Sequence, residues 1–247
     1  DVCSSDLGTL AHALDFDDTH SRAATHTSAP VWAATLALGE HCGADEMAML
    51  RAFVTGFEVA TRVGGGLGQA VTARGLHATG IFGRIGAAAA SAALLGLDAE
   101  RSAHAIAAAA TQASGLTASF GTMAKPYHAG KAAMDGVLSA ELAADGFVAA
   151  PGVFDAGGLD AAVIQDGSHS LSVPDFSYWE ILRNSFKPYA ACHLTHPTID
   201  AVTALSIEPA RVKRAHAYVG ELAQQITGQT AGQPDTPLAA KFDLKYC

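Results

Sequence analysis

The sequence predicts a mostly α-helical protein, and three observations carry that reading. Alanine, which loses no side-chain entropy in a helix, supplies 53 of 247 residues and is concentrated before residue 150, interleaved with Leu, Val and Met. Residues suited to helix caps punctuate that region. After about Pro151 alanine thins, Gly and Pro enter, and Phe176, Tyr178, Trp179, Phe186 and Tyr189 cluster, which marks a change of architecture.

In chain order, helices are expected over 7–16, 29–40, 45–63, 79–95, 99–113 and 128–144. Gly43 and Gly96 fit C-terminal caps, and Asp45 and Asp98 fit the N-caps that follow them. Small residues let helices approach closely, so the other glycines are expected mostly at packing positions. Shorter helices are expected over 178–184 and 196–205, a strand over 212–219, and a polar loop over 224–237. A second domain begun near Lys187 has too little length to bury its own core, so the chain reads as a fragment.

Composition removes several functions. A formal charge of -9, from 24 acidic and 15 basic side chains, disfavours nucleic acid or a membrane surface as partner. Cys3, Cys42, Cys192 and Cys247 are too scattered for a disulfide framework and form no paired zinc spacing, which suits a reducing cytoplasm. The run 102–124 lacks Asp, Glu, Lys and Arg, but its His, Gln, Ser, Thr and Gly residues and weakly apolar alanines do not suit a bilayer span. No basic stretch followed by an apolar one opens the sequence as given, so a soluble, unexported, cytoplasmic protein is expected.

Four strings could carry chemistry. In AHALDFDDTHSRAATH, a helix prolonged past Phe16 would place His12, Asp15 and Thr19 on one face, with Asp17, Asp18, His20 and His26 nearby. A helix end rich in capping acids explains the same residues. Asp and His mixtures also bind divalent ions, but no H-E-x-x-H, EF-hand loop or i, i+4 His pair is present, so no metal or cofactor is expected. In RGLHATGIFGRIG, glycines around His77 allow a tight turn aiming its imidazole into a cavity, and Thr79 could cap the next helix. A solvated loop histidine is the alternative.

In GTMAKPYHAGKAAMDG, Lys125, His128 and Lys131 precede or open a helix, where cations and free backbone N–H groups could hold a small carboxylate or phosphate. A solvated basic turn reads equally well. The last string holds Lys187, Pro188, Tyr189, Cys192, His193 and His196. Pro188 leaves Lys187 at an extended junction, and the adjacency of Cys192 and His193 does not by itself give nucleophile–base geometry.

Taken together these strings resemble the MmgE/PrpD family, whose members include 2-methylcitrate dehydratase, cis-aconitate decarboxylase and iminodisuccinate epimerase. The matching text is AHALDFDDTH followed by THTSAP, then GFEVATRVG, GLHATGIFG, QASGL, GTMAKPYHAGKAA and FKPY, spread from about Thr9 to about Ala201. Residues 1–7 fall outside it. The resemblance implies a large all-helical domain, here 1–186, the start of a smaller α+β lid, here 187–247, a cleft between them, metal-independent lyase chemistry, and a homodimer. Carried over by motif, active-site positions fall on Asp15, Thr19, His26, His77, Lys125 and Lys187, with Tyr246 and His193 from the lid. Where the family often reads K-P-Y-P-x-C, this chain has Ala190 and Ala191 before Cys192.

Such a reaction needs cations aimed at the charge that develops beside a carboxylate, and a neutral imidazole to move the proton. The expectation is that Lys125, Lys187 and His193 bind a small di- or tricarboxylate and that His77 and His26 act as acid and base. Asp15 is expected to orient His26 or another imidazole, with Thr19 as donor and Tyr246 catalytic. Dehydration of a 2-methylcitrate-like acid, as in propionate breakdown, leads; decarboxylation and epimerisation follow. A reading of another class is a catalytically silent helical dimerisation module.

Overall fold

A computed structural model describes residues 2–112, 114–155, 157–164, 175–228 and 232–247. The helical domain is built around α5 (Ala78–Leu94), in which every residue from Ala78 to Ala92 is buried. A helix buried on all sides must be small-sided, which is what its alanines and glycines provide. Around it pack α2 (Ser28–Cys42), α3 (Glu46–Gly64), α4 (Gly68–Ala73), α6 (Ala99–Ala110) and α7 (Ala124–Ala144), and α1 (Val2–Ala13) packs against α7 and α2. Gly56 of α3 and Gly86 of α5 face each other so closely that a Cβ on Gly56 would sit 2.5 Å from the Gly86 carbonyl oxygen.

The expected caps hold. Gly43 and Gly96 take left-handed conformations, and the Asp45 and Asp98 side chains accept hydrogen bonds from the Ala48 and Arg101 N–H groups. The first helix begins at Val2 with Ser4 fully buried, so a residue expected to lie outside the family pattern is packed into the domain. It also stops at Ala13, because Asp15 turns the chain with φ +52. The shared helical face expected for His12, Asp15 and Thr19 is therefore absent, and a left-handed turn, which Asp tolerates better than most residues, replaces it. Thr79 is inside α5 rather than capping it; His77 holds the N-cap position.

Beyond α7 come α8 (Leu159–Ile164), α9 (His196–Thr203), α10 (Glu221–Thr227) and α11 (Pro237–Ala240). A two-stranded antiparallel ladder joins β1 (Asp18–Thr19) to β2 (Ser185–Phe186), pairing Asp18 with Phe186 and Thr19 with Ser185. The helix expected over 178–184 is only a 3-10 turn at Glu180–Arg183, because the segment is tied outward to α3 instead of to itself. Glu58 accepts the Ile181 N–H at 2.9 Å, and Arg62 donates to the Tyr178 carbonyl at 2.6 Å. The strand expected over 212–219 is irregular and almost entirely exposed, with no described neighbour to complete a ladder. The loop expected over 224–237 starts later, since α10 runs to Thr227; positions 229–231, like Ala113 at the end of the fifth expected helix, lie outside the described residues. Among the described residues no helix is long and apolar enough to cross a membrane.

Candidate active site

Three separate parts of the fold deliver side chains to one point. The turn after α1 brings Asp15 and Asp17, the first turn of α7 brings Lys125, and the β1–β2 ladder fixes Lys187 one residue past β2. Lys125 and Asp15 form a buried ion pair, at 3% and 2% exposure. The Lys187 ammonium lies 3.1 Å from the other Asp15 carboxylate oxygen, 3.2 Å from the Asp15 carbonyl and 3.7 Å from Asp17. Burial alone would raise the Asp15 carboxyl, but the ammonium groups of Lys125 and Lys187 override it and hold the carboxyl well below its usual range. The side chain expected to orient an imidazole therefore bridges the two lysines.

The imidazoles are oriented by other groups. His12 Nδ1 donates to Asp17 Oδ2 at 2.5 Å, and His26 Nδ1 donates to the Asp18 carbonyl at 2.7 Å with Thr19 Oγ1 at 3.3 Å. A carbonyl can only accept, so the hydrogen of neutral His26 sits on Nδ1 and Nε2 keeps its lone pair. The His26 backbone N–H donates to Thr79 Oγ1 at 3.0 Å, the actual task of the threonine expected as a cap. The ring of His12 lies 5.1 Å from that of His26 and 5.8 Å from that of His77. The His77 backbone N–H donates to the Gly115 carbonyl at 3.0 Å, which fixes the main chain there, and the ring Nε2 is buried without a partner among the described residues.

Burial and the nearby ammonium groups favour the neutral form of these rings, with the Asp17 carboxylate opposing that at His12. Burial lowers all three pKa values; Lys187 adds to the effect at His26, and Lys125 adds to it at His77 and His12. The Lys125 ammonium is also flanked by the rings of Phe120 and Phe242, 5.8 and 5.1 Å away. Two ammonium groups balance the Asp15 and Asp17 carboxylates, so with neutral imidazoles these groups carry no net charge; the neighbouring Asp18 carboxyl, raised by burial, accepts instead from the Ser28 N–H and the Asn184 amide.

Asp15, Thr19, His26, His77, Lys125 and Lys187 thus converge as one buried cluster. Its groups touch each other rather than lining a single open pocket. A cavity of about 490 Å³ abuts it at His128, and one of about 220 Å³ abuts it at Asp17. His193 stands at the margin, its ring 5.1 Å from that of His196. Tyr246 is 62% exposed and enters none of the cluster's hydrogen bonds or ring contacts described above. His12 and Asp17 were grouped with the site in sequence but given no task; their pairing is its best-defined imidazole–carboxylate contact. Buried Cys192 has its thiol pushed up to about 11 by burial and by Asp15, so it is no thiolate nucleophile at neutral pH.

His12, Asp15 and Asp17 offer ligand atoms within 4.8 Å of one another, close enough to surround a cation. Both Asp15 oxygens already face ammonium groups, however, and a cation there would meet two like charges. The donor set suits an ion-pair network better than a metal.

The MmgE/PrpD N-terminal domain model matches residues 4–170. The chain is 36% identical over 157 residues to the cis-aconitate decarboxylase-like protein oryM of Aspergillus oryzae, covering 60% of this chain and 33% of that protein. It is 29% identical over 230 residues to a cis-aconitate decarboxylase of Aspergillus terreus, covering 84% of this chain and 47% of the relative. Against the cis-aconitate decarboxylase of Mus musculus it is 31% identical over 209 residues, covering 80% and 42%. The chain spans less than half the length of each of these relatives.

Proposed function

The chain belongs to the MmgE/PrpD family, and from that membership we propose that it is the helical part of a metal-independent lyase acting on a small polycarboxylate, with residues 187–247 starting a lid domain. Decarboxylation of a cis-aconitate-like acid is the first reading, because the relatives above carry that name. The observation that carries it is the convergence of two buried ammonium groups with three imidazoles held neutral.

Chemically, a substrate carboxylate would replace Asp15 as partner of Lys125 and Lys187. As carbon dioxide leaves, charge spreads onto the remaining carboxylate, where an ammonium group stabilises it in surroundings of low dielectric. The carbon then needs a proton. An incoming polyanion makes the neutral cluster negative, which favours protonation of an imidazole and turns His77 or His26 from base into acid at the moment a donor is required. Dehydration uses the same parts in a different order: an imidazole Nε2 takes the proton beside a carboxylate held by lysine, and hydroxide leaves.

The test is a substrate panel on the full-length protein, following carbon dioxide release from cis-aconitate and formation of the double bond from 2-methylcitrate. Turnover of either supports a lyase and chooses between the reactions. No loss of carbon dioxide or water from any di- or tricarboxylate would sink the proposal.

A further inference from the structure

A residue that trades protons with substrate must also trade them with water, and His77 is 3% exposed. Its Nδ1, however, lies 3.0 Å from Nδ1 of His128, with ring centroids 5.2 Å apart. Two neutral imidazole nitrogens at that distance share one hydrogen, donated by one ring and accepted by the other. His128 lies in α7, one turn beyond Lys125, and lines the cavity of about 490 Å³ together with Ser119, Tyr127 and Lys131. One ring of the pair therefore faces the buried cluster and the other a cavity that admits water.

The backbone is built around this contact. Gly115 has φ +124, and a Cβ there would sit 3.2 Å from His77 Cβ and 3.3 Å from His128 Nδ1. Glycine is needed for the dihedral and for the space. The charged groups around the pair are mostly cationic. Lys125 of α7 acts on both rings and Arg84 of α5 on His128, while the titratable ring of His12 faces both and that of His26 faces His77, adding positive charge only when protonated. Lys131 and Arg84 are both paired with Asp135, which offsets part of that charge. These surroundings oppose storage of a positive charge but not the shift of a hydrogen from one nitrogen to the other.

We propose that His128 is the proton conduit of the site, passing hydrogen between His77 and water in the adjoining cavity. When His77 accepts a proton at Nε2, its Nδ1 hydrogen moves to His128 Nδ1, and His128 releases its Nε2 hydrogen to water. One proton enters, one leaves, and both rings end neutral; the reverse shift delivers a proton to substrate. The catalytic part of this inference rests on the acid/base task proposed for His77.

The test uses the full-length protein with His128→Gln, which can still accept the His77 hydrogen bond but cannot pass a proton on, and with His128→Ala. Both should lower kcat at least tenfold with KM within twofold, and millimolar imidazole should restore His128→Ala by entering the cavity. Without substrate, nitrogen NMR of the parent should show coupling between the two Nδ1 atoms, and water exchange of that hydrogen should slow at least tenfold in His128→Gln. Parental kcat in His128→Gln, or an unchanged exchange rate in a folded variant, overturns the conduit. Slowed exchange in a protein whose parent turns over no polycarboxylate keeps the conduit and removes the lyase.

Discussion

The Lys187 ammonium stands 3.1 Å from Asp15 Oδ2, so one carboxylate in a left-handed turn holds two lysines that lie 110 and 172 residues further along the chain. Asp15→Asn removes the charge that both ammonium groups share and leaves them buried. Removing one partner of a buried pair costs about 3–5 kcal/mol. Urea denaturation should show a loss of that size, well above the effect of Asp235→Asn on the exposed surface.

Acid should weaken the fold in two stages. His12, His26 and His77 have folded pKa values below the unfolded value of 6.5, so their contribution is complete above that pH and declines as pH falls toward the folded values. Asp15 is also depressed, so its contribution persists below the histidine range and is lost as pH falls from about 3.9 through its folded value. Urea midpoints measured from pH 7.5 to 3.5 should fall continuously, and His77→Gln should flatten the part between 6.5 and 4.5. A parental midpoint that is flat from pH 6.5 to 4.5 contradicts the neutral assignment.

Binding of a polycarboxylate should take up protons. Calorimetry in two buffers of different ionisation enthalpy at pH 7 should show uptake approaching one proton per site, because the neutral cluster turns negative when the acid enters. Equal heats in both buffers would mean that the imidazoles do not respond to the substrate's charge.

Lys125→Met keeps the stem of the side chain and removes the charge. The lost charge-assisted bond is worth roughly 1.5–3 kcal/mol, or about ten- to a hundredfold in kcat/KM for the preferred acid. Parental turnover by this variant would remove lysine from the site.

Exhaustive chelation should leave activity unchanged. The acids nearest the site are already paired with ammonium groups and an imidazole, and the lysine ammonium groups supply the positive charge that a metal ion would otherwise provide. Activity lost on chelation and regained with a divalent ion would instead assign His12, Asp15 and Asp17 to a metal.

What the sequence determined by itself is local. Alanine's helix preference and the caps at Gly43, Asp45, Gly96 and Asp98 act within a few residues, and small size marks glycines as packing positions, so these are legible in the text, although which glycine meets which, as Gly56 meets Gly86, is not. The cluster's membership was largely legible too, through ordered motifs. Who touches whom was not. Tertiary structure decided that Asp15 bridges lysines 110 and 172 residues away, that Asp17 and the Asp18 carbonyl orient the imidazoles, and that His128 meets His77. The reason is physical: a buried charge takes whichever opposite charge the packing brings within reach, and a turn at Asp15, a two-residue ladder and a left-handed glycine set that reach without leaving a periodic trace in the sequence.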